Sequence, residues 1–206
     1  MKLEMCDFAS DRNTGTFSLF ALAVVIFTTP LMVSAYQDKP PPGNTGGFGE
    51  SSCHQCHFDH PLNDQEGSLN IHGLPEFYEP NSQYLIRITL KRPALKRGGF
   101  QLATRFAGGA QAGRQAGSLQ PVDERVAVMT GDDGEIQYAH HSEVAGLPSF
   151  RDEISWTLRW IAPEFSGASV AFHVAANACN DDDSSFGDFI YVKEVVSKVA
   201  LEQVRF

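Results

Sequence analysis

The sequence predicts an antiparallel β-sandwich. Three observations carry this: about seven short segments in which apolar and polar residues alternate, clusters of Gly, Pro, Asn and Asp between them, and no convincing amphipathic helix after residue 36. A chain of 206 residues suits one domain of about 150 residues plus extensions, enough to bury a core. No internal repeat is evident.

The elements follow in chain order. Segment 17–35, FSLFALAVVIFTTPLMVSA, is apolar and ends in small residues, with Val33 and Ala35 placed for export cleavage after Ala35. Residues 1–35 therefore read as a signal peptide, or as an N-terminal anchor if uncleaved. Residues 36–52 are rich in Pro and Gly and read as an extended linker. The remainder, 53–206, is an attachment loop plus the sandwich. From 58 to 81, Pro and Gly recur too closely for a long helix, leaving loop and short strand. Tyr84, Ile86, Ile88 and Leu90 then share one face of a strand, and Phe100, Leu102, Thr104 and Phe106 share one face of the next. A Gly/Ala/Gln-rich loop runs to about 120. Val126 and Val128 form a short strand, Gly131-Asp132-Asp133-Gly134 a turn, and Ile136 with Tyr138 the return of a hairpin towards His140-His141. Ile154, Trp156, Leu158 and Trp160 alternate as a core strand, and Val170, Phe172 and Val174 as another. The closing run, Phe189 to Val199, has some helical spacing at its far end.

Cys53-His54-Gln55-Cys56-His57 is the C-x-x-C-H pattern of covalent c-type haem attachment. Two intervening residues let both sulfurs face the edge of the ring and place the next imidazole beneath the metal. Cys53 and Cys56 would carry the haem, and His57 would be the proximal iron ligand. The rivals are a Cys53–Cys56 disulfide and half of a zinc site, but no second C-x-x-C stands beside Cys179. Cys179 reads as a small buried apolar residue. Attachment outside the cytoplasm agrees with the leader.

The candidates for the opposite face of the iron are His141, at the end of a strand beside a loop, then His72, His140 and Met129. His54 and His60 lie too near the motif, and His173 sits mid-strand. An ordinary surface histidine is the bland alternative for each, and core packing explains Met129. The turn containing Asn180, Asp181, Asp183 and Asp188 offers hard oxygen ligands for Ca²⁺ without the spacing of a known calcium loop; a solvated turn is the simpler reading.

The formal net charge of -9 and the lack of a basic cluster beyond Lys91-Arg92 and Lys96-Arg97 exclude a nucleic-acid footprint. No catalytic triad, carboxylate pair or phosphate loop stands out. The expectation is an electron carrier rather than a catalyst: an exported, periplasmic or cell-surface, mono-haem c-type protein with a redox partner, touching a membrane only through an uncleaved leader. The alternative is an exported binding or adhesion module with Cys53–Cys56 as a disulfide and no haem.

Several short motifs, in order, resemble the choice-of-anchor V family of reeler-related domains of bacterial exported proteins. They are Gly43-x-Thr45-Gly46, the C-x-x-C-H motif, Gly73-Leu74-Pro75, Tyr78-x-Pro80, Gly99-Phe100, Tyr138-x-x-His141, Trp160-x-Ala162-Pro163, Asn177-x-x-Asn180 and Gly187-Asp188-x-Ile190-Tyr191. The match spans about 43–196. The resemblance implies an immunoglobulin-like, reeler-like sandwich in an exported, surface-associated protein, with His141 matching the family's His. Asp181 stands where the family has Gly, and no sorting tail follows Phe206.

Overall fold

The computed structural model describes residues 39–164 and 168–200. The leader, with its cleavage site, and residues 36–38 of the linker lie outside the described residues. Ten strands are formed among those described: β1 (Ser68–His72), β2 (Phe77–Tyr78), β3 (Gln83–Lys91), β4 (Arg97–Phe106), β5 (Ser118–Pro121), β6 (Val126–Thr130), β7 (Gln137–His141), β8 (Glu153–Ile161), β9 (Val170–Cys179) and β10 (Phe189–Val199). A four-stranded sheet, β1-β3-β8-β5, packs on a six-stranded sheet, β2-β10-β9-β4-β7-β6. The β2 and β10 strands run parallel, and the other pairings are antiparallel. This is the β-sandwich that the alternation predicts.

The core comes from one face of each long strand. On β8, Ile154, Trp156, Leu158 and Trp160 are fully buried while the residues between them are half-buried. The indole of Trp156 lies 4.8 Å from the Phe100 ring and that of Trp160 lies 4.8 Å from Phe172, so the tryptophans of one sheet meet the phenylalanines of the other. Each buried indole N–H is satisfied, Trp156 by the Ala145 carbonyl and Trp160 by that of Ala116. The β6–β7 hairpin closes over the expected turn: Gly131 N–H donates to Ile136 O at 2.8 Å, and Gly134 N–H to Gly131 O at 2.9 Å.

Alternation missed β1, β2 and β5, which fall in stretches punctuated by Pro and Gly. Each is an edge strand whose partner holds it, as in the five-residue register of β1 on β3. The helical spacing at the end of β10 is not realised. Its backbone pairs with β9 as far as Ser197↔Val170 and with β2 at Lys198 and Val199.

The two sheets differ on their outer faces. Nine of the ten residues of β4 are buried, because a second layer covers the face that the core does not. Residues 39–52, expected to be an extended linker, are folded onto this face. Gln101 is fully buried; it accepts from Asn44 N–H at 2.7 Å and donates to Pro41 O at 2.8 Å. Arg105 pairs with Glu50 and donates to the Tyr138 hydroxyl, which itself donates to Glu50. The Gly47 backbone lies so flat on His173 that a Cβ there would come within 2.2 Å of the ring. Composition suggested a linker because these contacts are made by main-chain atoms and single polar side chains, which leave no periodic apolar signature.

Candidate functional site

The C-x-x-C-H motif ends this covering layer. Ser52 caps a 3-10 turn at Cys53–Gln55, its hydroxyl accepting from His54 N–H at 3.3 Å, and Cys56 and His57 both donate N–H to the Cys53 carbonyl. The turn brings Cys53, Cys56 and His57 to a cleft of about 400 Å³, a volume in the range of small-molecule and cofactor sites. Gly99, Phe100 and His141 contribute from β4 and β7, and Asn177, Cys179 and Asp188 from β9 and the start of β10.

His57 is fixed by an acid. Its Nδ1 lies 2.7 Å from Asp188 Oδ2, and the Asp188 side chain is only 1% exposed. The same carboxylate accepts from Asn177 Nδ2 at 3.2 Å and, through Oδ1, from Asn180 N–H at 3.2 Å. With Nδ1 engaged, Nε2 is the nitrogen left for a metal. Asn177 Oδ1 is buried without a hydrogen-bond partner, an unmet acceptor in the wall of the cleft.

Burial raises the pKa of two of the cleft's thiols, Cys53 and Cys179. Cys53 is half-buried as a residue, yet loss of water around its sulfur pushes the thiol up to about 12. Cys179 is pushed well up, first by burial and then by the charge of Asp188 and a hydrogen bond to it. Cys179 is thus half-buried in the wall of the cleft rather than an apolar core residue. Among the described residues Cys53, Cys56 and Cys179 are free cysteines.

The distal candidates separate clearly. His141 lines the cleft. Pairing of β4 with β7 stops at Gln101↔His140, and the His141 ring takes over the ladder at the next position: Phe100 N–H donates to its Nδ1 at 3.1 Å, with Phe100 O 3.3 Å away. The ring fits because residue 99 is Gly; a Cβ there would come within 2.6 Å of Cε1. Gly99 and Asn177 are register partners on β4 and β9, so His141 and His57 rest on neighbouring positions. His72 lines a separate groove on the outer face of the four-stranded sheet with Arg87 and Lys91. His140 is buried with Nδ1 on the His141 carbonyl, and Met129 packs beside Ala103, Ile136 and Tyr138. None of these three lines the cleft.

The proposed calcium set is not brought to one point. Asp181 pairs with Arg97, Asp182 accepts from Asn180 Nδ2 at 2.9 Å, and Asp188 faces inward to His57. Among the described residues no three or more His, Cys, Asp or Glu gather to hold a metal ion. Asp181 has φ of 58°, the left-handed conformation that glycine adopts at least cost.

Sequence reasoning missed the partnership of His57 with Asp188 and Asn177. The sequence offers Asp188 as a calcium ligand and as part of a resemblance, and Asn177 only as part of the resemblance. The signal available was chemical: a histidine that ligates through Nε2 needs an acceptor for Nδ1–H. The two thiols of the motif and the His57 imidazole line one cleft.

No family model and no curated protein matches the chain. Among solved structures it is similar to the human F-spondin reeler domain. The identity is 22%, over 66% of this chain and 94% of that one, with a TM-score of 0.41. It is also similar to a cohesin module from a Clostridium perfringens family 33 glycoside hydrolase, at 8% identity over 65% of this chain and 95% of that one, with a TM-score of 0.42. The fold rests on the two sheets themselves. No helix among the described residues is long and apolar enough to cross a membrane.

Proposed function

We propose that the chain is an exported, single-haem c-type electron-transfer module of reeler-like fold. Cys53 and Cys56 would carry the haem, and His57 and His141 would hold its iron. The observation that carries the proposal is that the motif and His141 line the same cleft while His57 has its Nδ1 on a buried carboxylate. When bound, haem supplies a reversible one-electron couple. The chain's part is to hold two imidazoles, exclude water with Phe100 and the backbone of Gly98 and Gly99, and present one edge to a redox partner. For His141 to use Nε2, its Nδ1 must carry the proton and donate to Phe100 O rather than accept from Phe100 N–H.

Expression with a cytochrome-maturation system tests this. The expected product is coloured and carries one covalent haem. His141→Ala should keep the haem and convert a six-coordinate low-spin spectrum to a high-spin or water-ligated one, and His57→Ala should damage the site more severely. A colourless wild-type product overturns the reading. An unchanged His141→Ala spectrum overturns the distal assignment alone.

A second reading, an exported sandwich that binds another molecule without haem, draws on the exposed apolar residues Val144, Leu147 and Phe150, in a loop whose Gly146 reaches the cleft. Mutation to Asp at Leu147 and Phe150 would then abolish binding while leaving a colourless protein folded.

A further inference from the structure

We infer that Asp188 is a positioning residue. It holds His57 in the Nδ1-protonated tautomer and loads electron density onto Nε2, so that a bound haem iron is biased towards the oxidised state. The inference rests on the haem reading for its second half only. The tautomer is a property of the chain itself.

The geometry leaves little choice. Asp188 faces donors: His57 Nδ1 at 2.7 Å, Asn177 Nδ2 at 3.2 Å, Asn180 N–H at 3.2 Å and the Cys179 thiol. None of these neighbours needs a carboxylic acid proton, so the arrangement suits a carboxylate. A carboxylate at hydrogen-bond distance requires the proton on Nδ1 of His57, because a bare nitrogen there would oppose two sets of lone pairs. Asn177 Nδ2 also lies 3.3 Å from His57 Nδ1, but an N–H cannot donate to a nitrogen that already carries a proton. That amide is therefore committed to Asp188. Turning the Asn177 amide over would place its oxygen against the carboxylate, which fixes the orientation and accounts for the orphaned Oδ1. Asp188 and Asn177, both far from His57 in sequence, thus place a proton on its Nδ1.

The consequence lies at Nε2. A hydrogen bond from Nδ1–H to a carboxylate gives the imidazole partial imidazolate character and makes Nε2 a stronger donor. A stronger donor stabilises the ferric over the ferrous iron and lowers the midpoint potential. A neutral acceptor in the same place would do so less, and the low exposure of Asp188 keeps its charge unscreened.

Asp188→Asn separates charge from shape, since the amide oxygen can still accept. Asp188→Ala removes both. In haem-free protein at alkaline pH, where the imidazoles are neutral, nitrogen-15 NMR of the histidines should find wild-type His57 with Nδ1 protonated and Nε2 bare, a mixed population in Asp188→Asn, and Nε2 protonated in Asp188→Ala. In haem-loaded protein the midpoint potential should rise from wild type to Asp188→Asn to Asp188→Ala, with the iron–histidine stretch of a ferrous, five-coordinate His141→Ala background falling in the same order. If Asp188→Ala does not fold, wild type and Asp188→Asn suffice. Equal tautomer populations in the two proteins overturn the inference. Equal potentials with shifted tautomers overturn the electronic half. Failure of the wild type to take up haem, with the NMR result intact, overturns the haem reading and leaves the tautomer assignment standing.

Discussion

The strands β8 and β4 show how differently the two sheets are used. The β8 strand alternates between buried and half-buried along its whole length, and its sheet offers solvent a face with Leu85 at 59% exposure and a shallow polar groove. The β4 strand is buried on both faces because residues 39–52 cover its outer side. The sheet that faces water is scaffold. The covered sheet gains enclosed polar groups and a cleft, and the residues that can do chemistry collect there. A sandwich made from one kind of strand acquires a site where a second layer is laid over it.

The largest effect should come from the core that both sheets share. Trp156→Ala or Trp160→Ala should cost about 3–5 kcal/mol in urea unfolding, since each indole is fully buried and hydrogen-bonded. A cost below 1 kcal/mol would mean that the two faces do not form one core.

The cover should be weaker and separable. Glu50→Ala leaves the Arg105 guanidinium without its ion-pair partner under the layer and should cost about 2 kcal/mol, less than breaking a fully buried pair because both side chains keep some exposure. Limited proteolysis should then cut within residues 39–67 while the sandwich stays intact. Simultaneous loss of both would show that layer and sheet fold as one unit.

Acid should act on the covered face. Burial under Gly47 and Phe48 pushes the His173 pKa down, aided by Arg105 and opposed by Glu194, whose carboxylate lies 3.6 Å away. A histidine with a depressed folded pKa binds its proton more readily in the unfolded chain. Stability should therefore be retained above the unfolded value of about 6.5 and decline as pH falls from there towards the folded pKa. His173→Gln should flatten that part of the pH profile, and an unchanged slope would remove His173 as the cause. The smallest effect belongs to the open sheet, where Leu85→Thr should change stability by less than about 0.5 kcal/mol.

The same contrast explains what was legible beforehand. Period-two alternation located β3, β4, β6, β7, β8 and β9 because core packing imposes it, whereas β10 showed only as a closing run with some helical spacing. It could not reveal that Gln101, Arg105 and His173 are enclosed, since a polar residue facing a second layer looks like one facing water. Cys53, Cys56 and His57 were legible as contiguous chemistry, and His141 through a strand end and a resemblance. Asn177 and Asp188 were not, because their relation to His57 exists only after distant strands pair.

The bond from His57 to the far end of the chain also sets an order of events in time. Asn177 lies 120 residues after His57, and at roughly 5–20 residues per second that interval takes on the order of ten seconds to synthesise. During it, Cys53 exists without the β9 and β10 surface that will desolvate it, and its sulfur is as reactive as that of any unfolded thiol. Closure of the sandwich ends that interval. Covalent modification of Cys53 is therefore easiest on a chain still being made or moved, and completion of the fold seals in whatever chemistry that sulfur has undergone by then.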